Sequence, residues 1–250
     1  MNFEASVGKS SSYVVSQGKA RYERIAAAHP GPLGPAVTVS HQTGAGVPEI
    51  TKRLAQRLQQ TGFKGELCWT VLDQQLIERA LEEHCWPKAL AEHITEEKRF
   101  FIDELMDDLF GLRPPSWVLV PQVAETTLRL AMAGHVILVG HGATVITKKL
   151  PNVFHVRLTG SLPRRIERVQ RLRNLKPEAA AQYVRREDRG RERYVKAHFH
   201  GQLANELLYD LVLNTDRVSD EDAAAILAES ARTFFSASQT SNEFQTAQKA

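Results

Sequence analysis

A chain of 250 residues, 42% hydrophobic and 24% charged, is long enough to bury one substantial core with room for an insert. Its longest apolar runs, Val136 to Val139 and Val153 to Leu158, fall far short of the roughly 20 residues that cross a bilayer, and the start of the chain lacks the continuous apolar core of a secretory signal. A cytoplasmic protein is expected. The formal charge of +3 is too small to demand nucleic acid, and the two cysteines, Cys68 and Cys85, have neither a C-x-x-C spacing nor a nearby histidine pair, so they read as buried thiols and no metal site is expected.

Residues 1–34 are rich in Ser, Lys and Arg and read as a flexible tail. Ala36 to Ser40, short and β-branched, then reads as a buried strand that ends in a glycine-bearing loop. From Glu49 to Gln60, Ile50, Leu54 and Leu58 recur at the spacing of one helix face, and Leu67 to Leu72 reads as a second strand closed by Asp73. A helix from Gln74 to Glu83 and a mostly helical middle follow, broken at Pro87 and at Arg113-Pro114-Pro115. A helix from about Val118 to Ala133 is stopped by Gly134. His135 to Val139, Val153 to Leu158 and Asp210 to Leu213 supply three more strands, with long basic helices between the last two. Short strands separated by helices predict an α/β domain over residues 35–230: a parallel five-stranded sheet with helices on both faces, plus a helical lid or insert. Residues 231–250, rich in Ser, Thr, Gln and Asn, read as a second flexible tail.

Charge is unevenly spread along this layout. Between Arg164 and Lys196 there are twelve Lys or Arg against five acids, whereas Glu92 to Asp108 holds seven acids against two bases. The first stretch suits a concentrated anionic partner. In open α/β sheets ligands sit at the carboxyl ends of the strands, so the loop from Ser40 through His41, Thr43, Gly44, Ala45 and Gly46 is the first place to look. Its glycines let backbone N–H groups approach an anion, and the following helix points its positive end at the same spot; an ordinary tight strand-to-helix turn is the other reading.

Several motifs in order, VTVSHQTGAG with PEITKRLAQRL, VLDQQLIERA, HVILVGHGATVI, VFHVRLTGSLPRRIERV, EDRGRERYVKAHF and YDLVLNTDRVSDEDAAAIL, resemble the cytidylate kinase-like family. The resemblance covers almost the whole expected domain. It implies a P-loop kinase core and transfer of a phosphoryl group from ATP, with Mg2+, to a nucleoside monophosphate or similar small acceptor. The chain departs from the phosphate-binding signature where Gly-Lys-[Ser/Thr] would stand, because those two positions hold Val47 and Pro48. It also has His41 and His141 where the family commonly carries arginine, which exchanges a permanent charge for a group largely neutral at pH 7.

The resemblance assigns Asp73 to the acceptor side, although it would equally serve as an N-cap. It sets His141, between two glycines, at the same cleft edge. Asp188, Arg191 and Tyr194 recur every third residue and line one side of a helix. An Asp-x-x-Arg pair here implies a carboxylate toward the acceptor and a guanidinium toward the transferring phosphoryl, with Arg185 in the same catalytic group. Arg164, Arg165 and Arg168 fall in the lid region of such kinases; a solvated basic face is the alternative for the arginines of this stretch. Small-molecule nucleotides are the expected partners, and few aromatics suit base stacking, so nucleic acid is not expected. The competing function is a non-catalytic nucleotide-binding regulator that retains the kinase fold.

Overall fold

A computed structural model describes residues 33–60, 68–73, 116–140, 142–199 and 201–247. The strands are β1 (Ala36–His41), β2 (Thr70–Asp73), β3 (Val136–Val139), β4 (Val153–Thr159) and β5 (Leu211–Asn214). All pairings are parallel, as the sequence predicts, and the order across the sheet is β2-β3-β1-β4-β5. The helices of more than one turn are α1 (Val47–Gln60), α2 (Ser116–Ala133), α3 (Ala143–Thr147), α4 (Leu162–Arg173), α5 (Pro177–Phe199) and α6 (Asp220–Ala247). The expected helix Gln74 to Glu83, the acidic stretch, the tail before residue 33 and His141 lie outside the described residues.

The two faces of the sheet are built differently. On one, Val37, Val39, Phe154, Val156 and Leu158 pack under Ile50, Leu54 and Leu58 of α1 and Ala223, Leu227 and Ala231 of α6. Each large aliphatic side chain buried here contributes about 1.5–3 kcal/mol by removing apolar surface from water. On the other, Ala36, Leu138 and Val153 meet Leu128 and Ala131 of α2, while α3 meets the end of α5 through Val145 and Val195.

The strand that carries the loop is therefore central and buried on both sides, and the chain leaves its two neighbouring connections in opposite directions. After β1 it crosses to β2 on one side, and after β3 it crosses to β4 on the other. That reversal opens a crevice at the carboxyl end of β1.

Two expectations change. α6 passes the boundary expected at residue 230 and runs to Ala247, because Ala231 and Phe235 continue its apolar stripe into the core, which the polar composition of the segment hid. Cys68 is a free thiol but only half-buried. No helix among the described residues is long and apolar enough to cross a membrane.

The amino end of β1 is fixed by a crossing of two glycines. Gly134 ends α2 with φ of 80° and its N–H donates to Leu130 O at 3.0 Å, while a Cβ there would collide with the Gly34 backbone. Gly134→Ala should therefore destabilise the fold by at least about 1–3 kcal/mol, read as a lower urea midpoint at unchanged slope.

Candidate functional site

The loop after β1 is held by side chains that arrive from 120 to 150 residues away in the chain. Thr43, which is buried, donates its backbone N–H to Asp188 Oδ1 of α5 at 2.8 Å. Arg191, one helical turn on, donates from Nη1 to Thr43 Oγ1 at 2.7 Å and to Asp188 Oδ1 at 3.0 Å. Arg165 of α4 donates to Asp188 Oδ2 at 2.6 Å, to Thr43 O at 3.1 Å and to Gly160 O at 2.9 Å. One carboxylate thus joins the loop to both basic helices.

The spacing explains why one helix can do this. Asp188 and Arg191 sit three residues apart on α5 and share a side of it, so both reach Thr43. Burial raises the Asp188 pKa, but the hydrogen bonds from Thr43 and the adjacent Arg165 guanidinium outweigh it and hold the carboxyl below its usual range. Burial presses the Arg191 pKa down, and Asp188 opposes that.

Glycine is required in the loop for close approach. Gly44 has φ of 86°, and a Cβ on it would stand 2.5 Å from Arg165 O, so α4 rests directly against the loop. Gly46 has φ of 87°, and a Cβ there would collide with Arg168 Nη1. Arg168 in turn forms an ion pair at 3.0 Å with Asp220, the first residue of α6. The Gly44 and Gly46 N–H groups donate to no acceptor among the described residues. They stand beside the amino end of α1, where partial positive charge accumulates.

The structure sorts the expected site residues. Thr43, Gly44, Gly46, Arg165, Arg168, Asp188 and Arg191 come together at the loop. Ala45 is also in the loop, but its side chain packs in the core and its backbone N–H donates to Gln42 O at 3.1 Å. His41 is half-buried at the end of β1, paired in register with Leu158. Asp73 is exposed at the end of β2, an edge strand, level with Val139.

Arg164 and Arg185 are not brought to the loop. Arg164 is exposed and forms a surface ion pair with Glu167 at 3.6 Å, and Arg185 is exposed on α5. Residues that sequence reasoning missed include Gln42, whose Oε1 accepts from Gly160 N–H at 3.0 Å, and Asp216, whose carboxylate accepts from Ser161 N–H at 2.9 Å. Asp220, in the first turn of α6, was also missed, because nothing local ties it to Arg168.

Val47 stands at the position of the signature lysine, and its side chain is buried within the apolar cluster under α1, where an unpaired ammonium group would be costly. The positive charge at this loop comes instead from α4 and α5.

The model of the cytidylate kinase-like family matches residues 36–217. In structure the chain is similar to an uncharacterized protein from Eubacterium ventriosum, with TM-score 0.58 and 15% identity over 80% of this chain and 98% of that one. It is also similar to a shikimate kinase from Bacteroides thetaiotaomicron, with TM-score 0.39 and 15% identity over 78% and 96% of the two chains. A dephospho-CoA kinase from Campylobacter jejuni gives TM-score 0.35 and 10% identity over 80% and 98%. Among curated proteins none matches.

The pKa direction of Asp188 sets a pH signature. Because its folded value is depressed, its ionised form adds stability above the ordinary carboxylate pKa of about 3.9, and that stability is lost as pH falls through the folded value. Asp188→Asn should cost about 1–3 kcal/mol at pH 7, less than a fully buried pair because the carboxylate keeps solvent contact. Urea unfolding from pH 7 down to pH 2 should show the gap between wild type and variant narrowing below about pH 4.

Proposed function

From the premise that this chain belongs to the cytidylate kinase-like family, we propose that it binds ATP at the loop between β1 and α1 and transfers a phosphoryl group to a nucleoside monophosphate. The observation that carries the reading is the convergence of Arg165 and Arg191 on Thr43, next to the unengaged N–H groups of Gly44 and Gly46. Phosphoryl transfer depends mainly on positioning and on positive charge placed where negative charge develops. Arg191, fixed by Asp188 and Thr43, is such a charge on a packed helix rather than on a loose loop.

The protein itself is a poor holder of Mg2+ at this loop. Pro48 stands where the hydroxyl ligand would be, and no cluster of three or more His, Cys, Asp or Glu among the described residues suits a metal ion. Magnesium retains much of its own water and accepts phosphate oxygens readily, so the nucleotide would carry the ion. No step in this proposal runs through protein-held metal.

A second reading, a regulator that binds nucleotide without transferring phosphate, has Val47 and Pro48 in its favour: one is spent on the core and the other lacks an N–H. Calorimetry with ATP, ADP and CMP, with and without magnesium, followed by a coupled ADP-release assay over a nucleotide panel, separates the two. Binding with turnover supports the kinase, and binding without turnover on any acceptor supports the regulator. Absence of binding at the loop contradicts both.

If Arg191 meets charge that develops during transfer, Arg191→Ala should lower kcat by about 10²–10³ while ATP affinity falls much less. Arg173→Ala is the control, since Arg173 stacks on the Tyr183 ring at 4.4 Å on the exposed side of the basic helices. Equal small effects at both positions would contradict the role given to Arg191.

A further inference from the structure

The sheet face turned away from α1 changes character along its paired strands. At the start, Ala36 of β1 lies beside Val153 of β4, and both are apolar core. Two residues on, Thr38 lies beside His155, and Thr38 Oγ1 is 2.7 Å from His155 Nδ1 and 3.1 Å from Thr144 Oγ1. Two further, Ser40 lies beside Arg157 at the carboxyl end. The face thus passes from hydrocarbon to neutral polar groups to a cation as it approaches the loop.

Arg157 is half-buried, and its hydrogen-bond and ring partners among the described residues are uncharged. Its Nη1 donates to Tyr209 Oη at 3.0 Å and to Ser40 Oγ at 3.3 Å, and its guanidinium lies 5.3 Å from the centre of the Tyr209 ring. Tyr209 is itself buried and anchored, donating to Leu203 O at 3.0 Å. Among the described residues no carboxylate pairs with Arg157. A half-buried guanidinium without a counter-charge is unusual, since desolvation is normally repaid by an anion.

Ser40 and Thr43 are three residues apart, so the anchor points of Arg157 and Arg191 are separated by at most about 10 Å of chain. Arg191 Nε is buried and donates to no acceptor among the described residues. At this end of the sheet Arg165 and Arg191 share the carboxylate of Asp188, Asp216 accepts from the Ser161 N–H at the amino end of α4, and Asp220 pairs with Arg168. Three guanidinium groups against the carboxylates of Asp188 and Asp216 leave one positive charge in excess, which favours a phosphate monoester.

We propose that Arg157 holds the phosphate of the acceptor, with Arg191 between it and the transferring group, so that Arg157 selects phosphorylated acceptors over unphosphorylated ones. This rests on the kinase reading above. It assigns the acceptor to the face of β1 opposite α1, while the donor phosphates meet the amino end of α1. The planar fork of arginine pairs with two phosphate oxygens at once, and the Tyr209 ring and hydroxyl set its plane in advance.

The test compares wild type, Arg157→Gln and Tyr209→Phe by calorimetry with ATP, with CMP, AMP, GMP and UMP, and with cytidine, alongside the coupled transfer assay. A charged hydrogen-bonded contact of this kind corresponds to a loss of about 10- to 150-fold. Arg157→Gln should weaken binding of the preferred monophosphate and raise its KM by that factor, with ATP affinity within about twofold of wild type. Tyr209→Phe, which removes a hydrogen bond but no charge, should lose much less. The inference is overturned if Arg157→Gln leaves monophosphate binding unchanged, if it weakens ATP equally, or if Tyr209→Phe reproduces the whole loss. A wild type that binds ATP but no monophosphate overturns this inference while the nucleotide site stands, and one that binds neither overturns both.

Discussion

The carboxylate of Asp188 is the point on which the site depends. It is shared by the Thr43 N–H, Arg165 and Arg191, and so ties a strand-to-helix loop to two helices that would otherwise repel each other and the loop. Two guanidinium groups beside the positive end of α1 are unfavourable without an anion. Asp188 supplies one built-in negative charge, enough to assemble the cluster and too little to neutralise it. That imbalance leaves the cluster net positive, and the backbone around it is already committed: Gly44 presses against α4 and Gly46 against Arg168, leaving little freedom for the loop to rearrange.

The sheet and its loop were legible because their signals are local. β-Branched runs mark the strands, Ile50, Leu54 and Leu58 repeat on one helix face, and glycines follow β1 at the point where parallel sheets bind ligands. The Asp188 and Arg191 pair was legible for the same reason, since three residues on a helix fix their shared side. What stayed hidden depends on contacts across the fold. Arg157 reads as one polar residue in a strand until register sets it beside Ser40 and the chain returns to bring Tyr209 over it. Arg168 and Arg164 belong to one basic run, yet helical geometry turns the first to Gly46 and the second to water. The end of α6 was misread because its polar composition masks the few residues, Ala231 and Phe235, that hold it to the core.

The departures from the phosphate-binding signature form a consistent set. Val47 has been given to the core and Pro48 to the first turn of α1, choices that favour the packing of the helix over direct contact with phosphate. Positive charge stands on the facing helices, where it is held by Asp188 and Asp220. An arginine on a packed helix is preorganised, so its contribution to a developing charge need not await a rearrangement.

The most direct measurement is a titration of the 15N-labelled protein with ATP, following the backbone amides of Thr43, Gly44, Gly46 and Val47 by heteronuclear NMR. The account predicts saturable shifts concentrated at these amides, with the Thr43 signal changing as phosphate competes with Asp188 for its N–H. Saturable ATP binding that leaves all four amides unmoved while shifting residues elsewhere would contradict it.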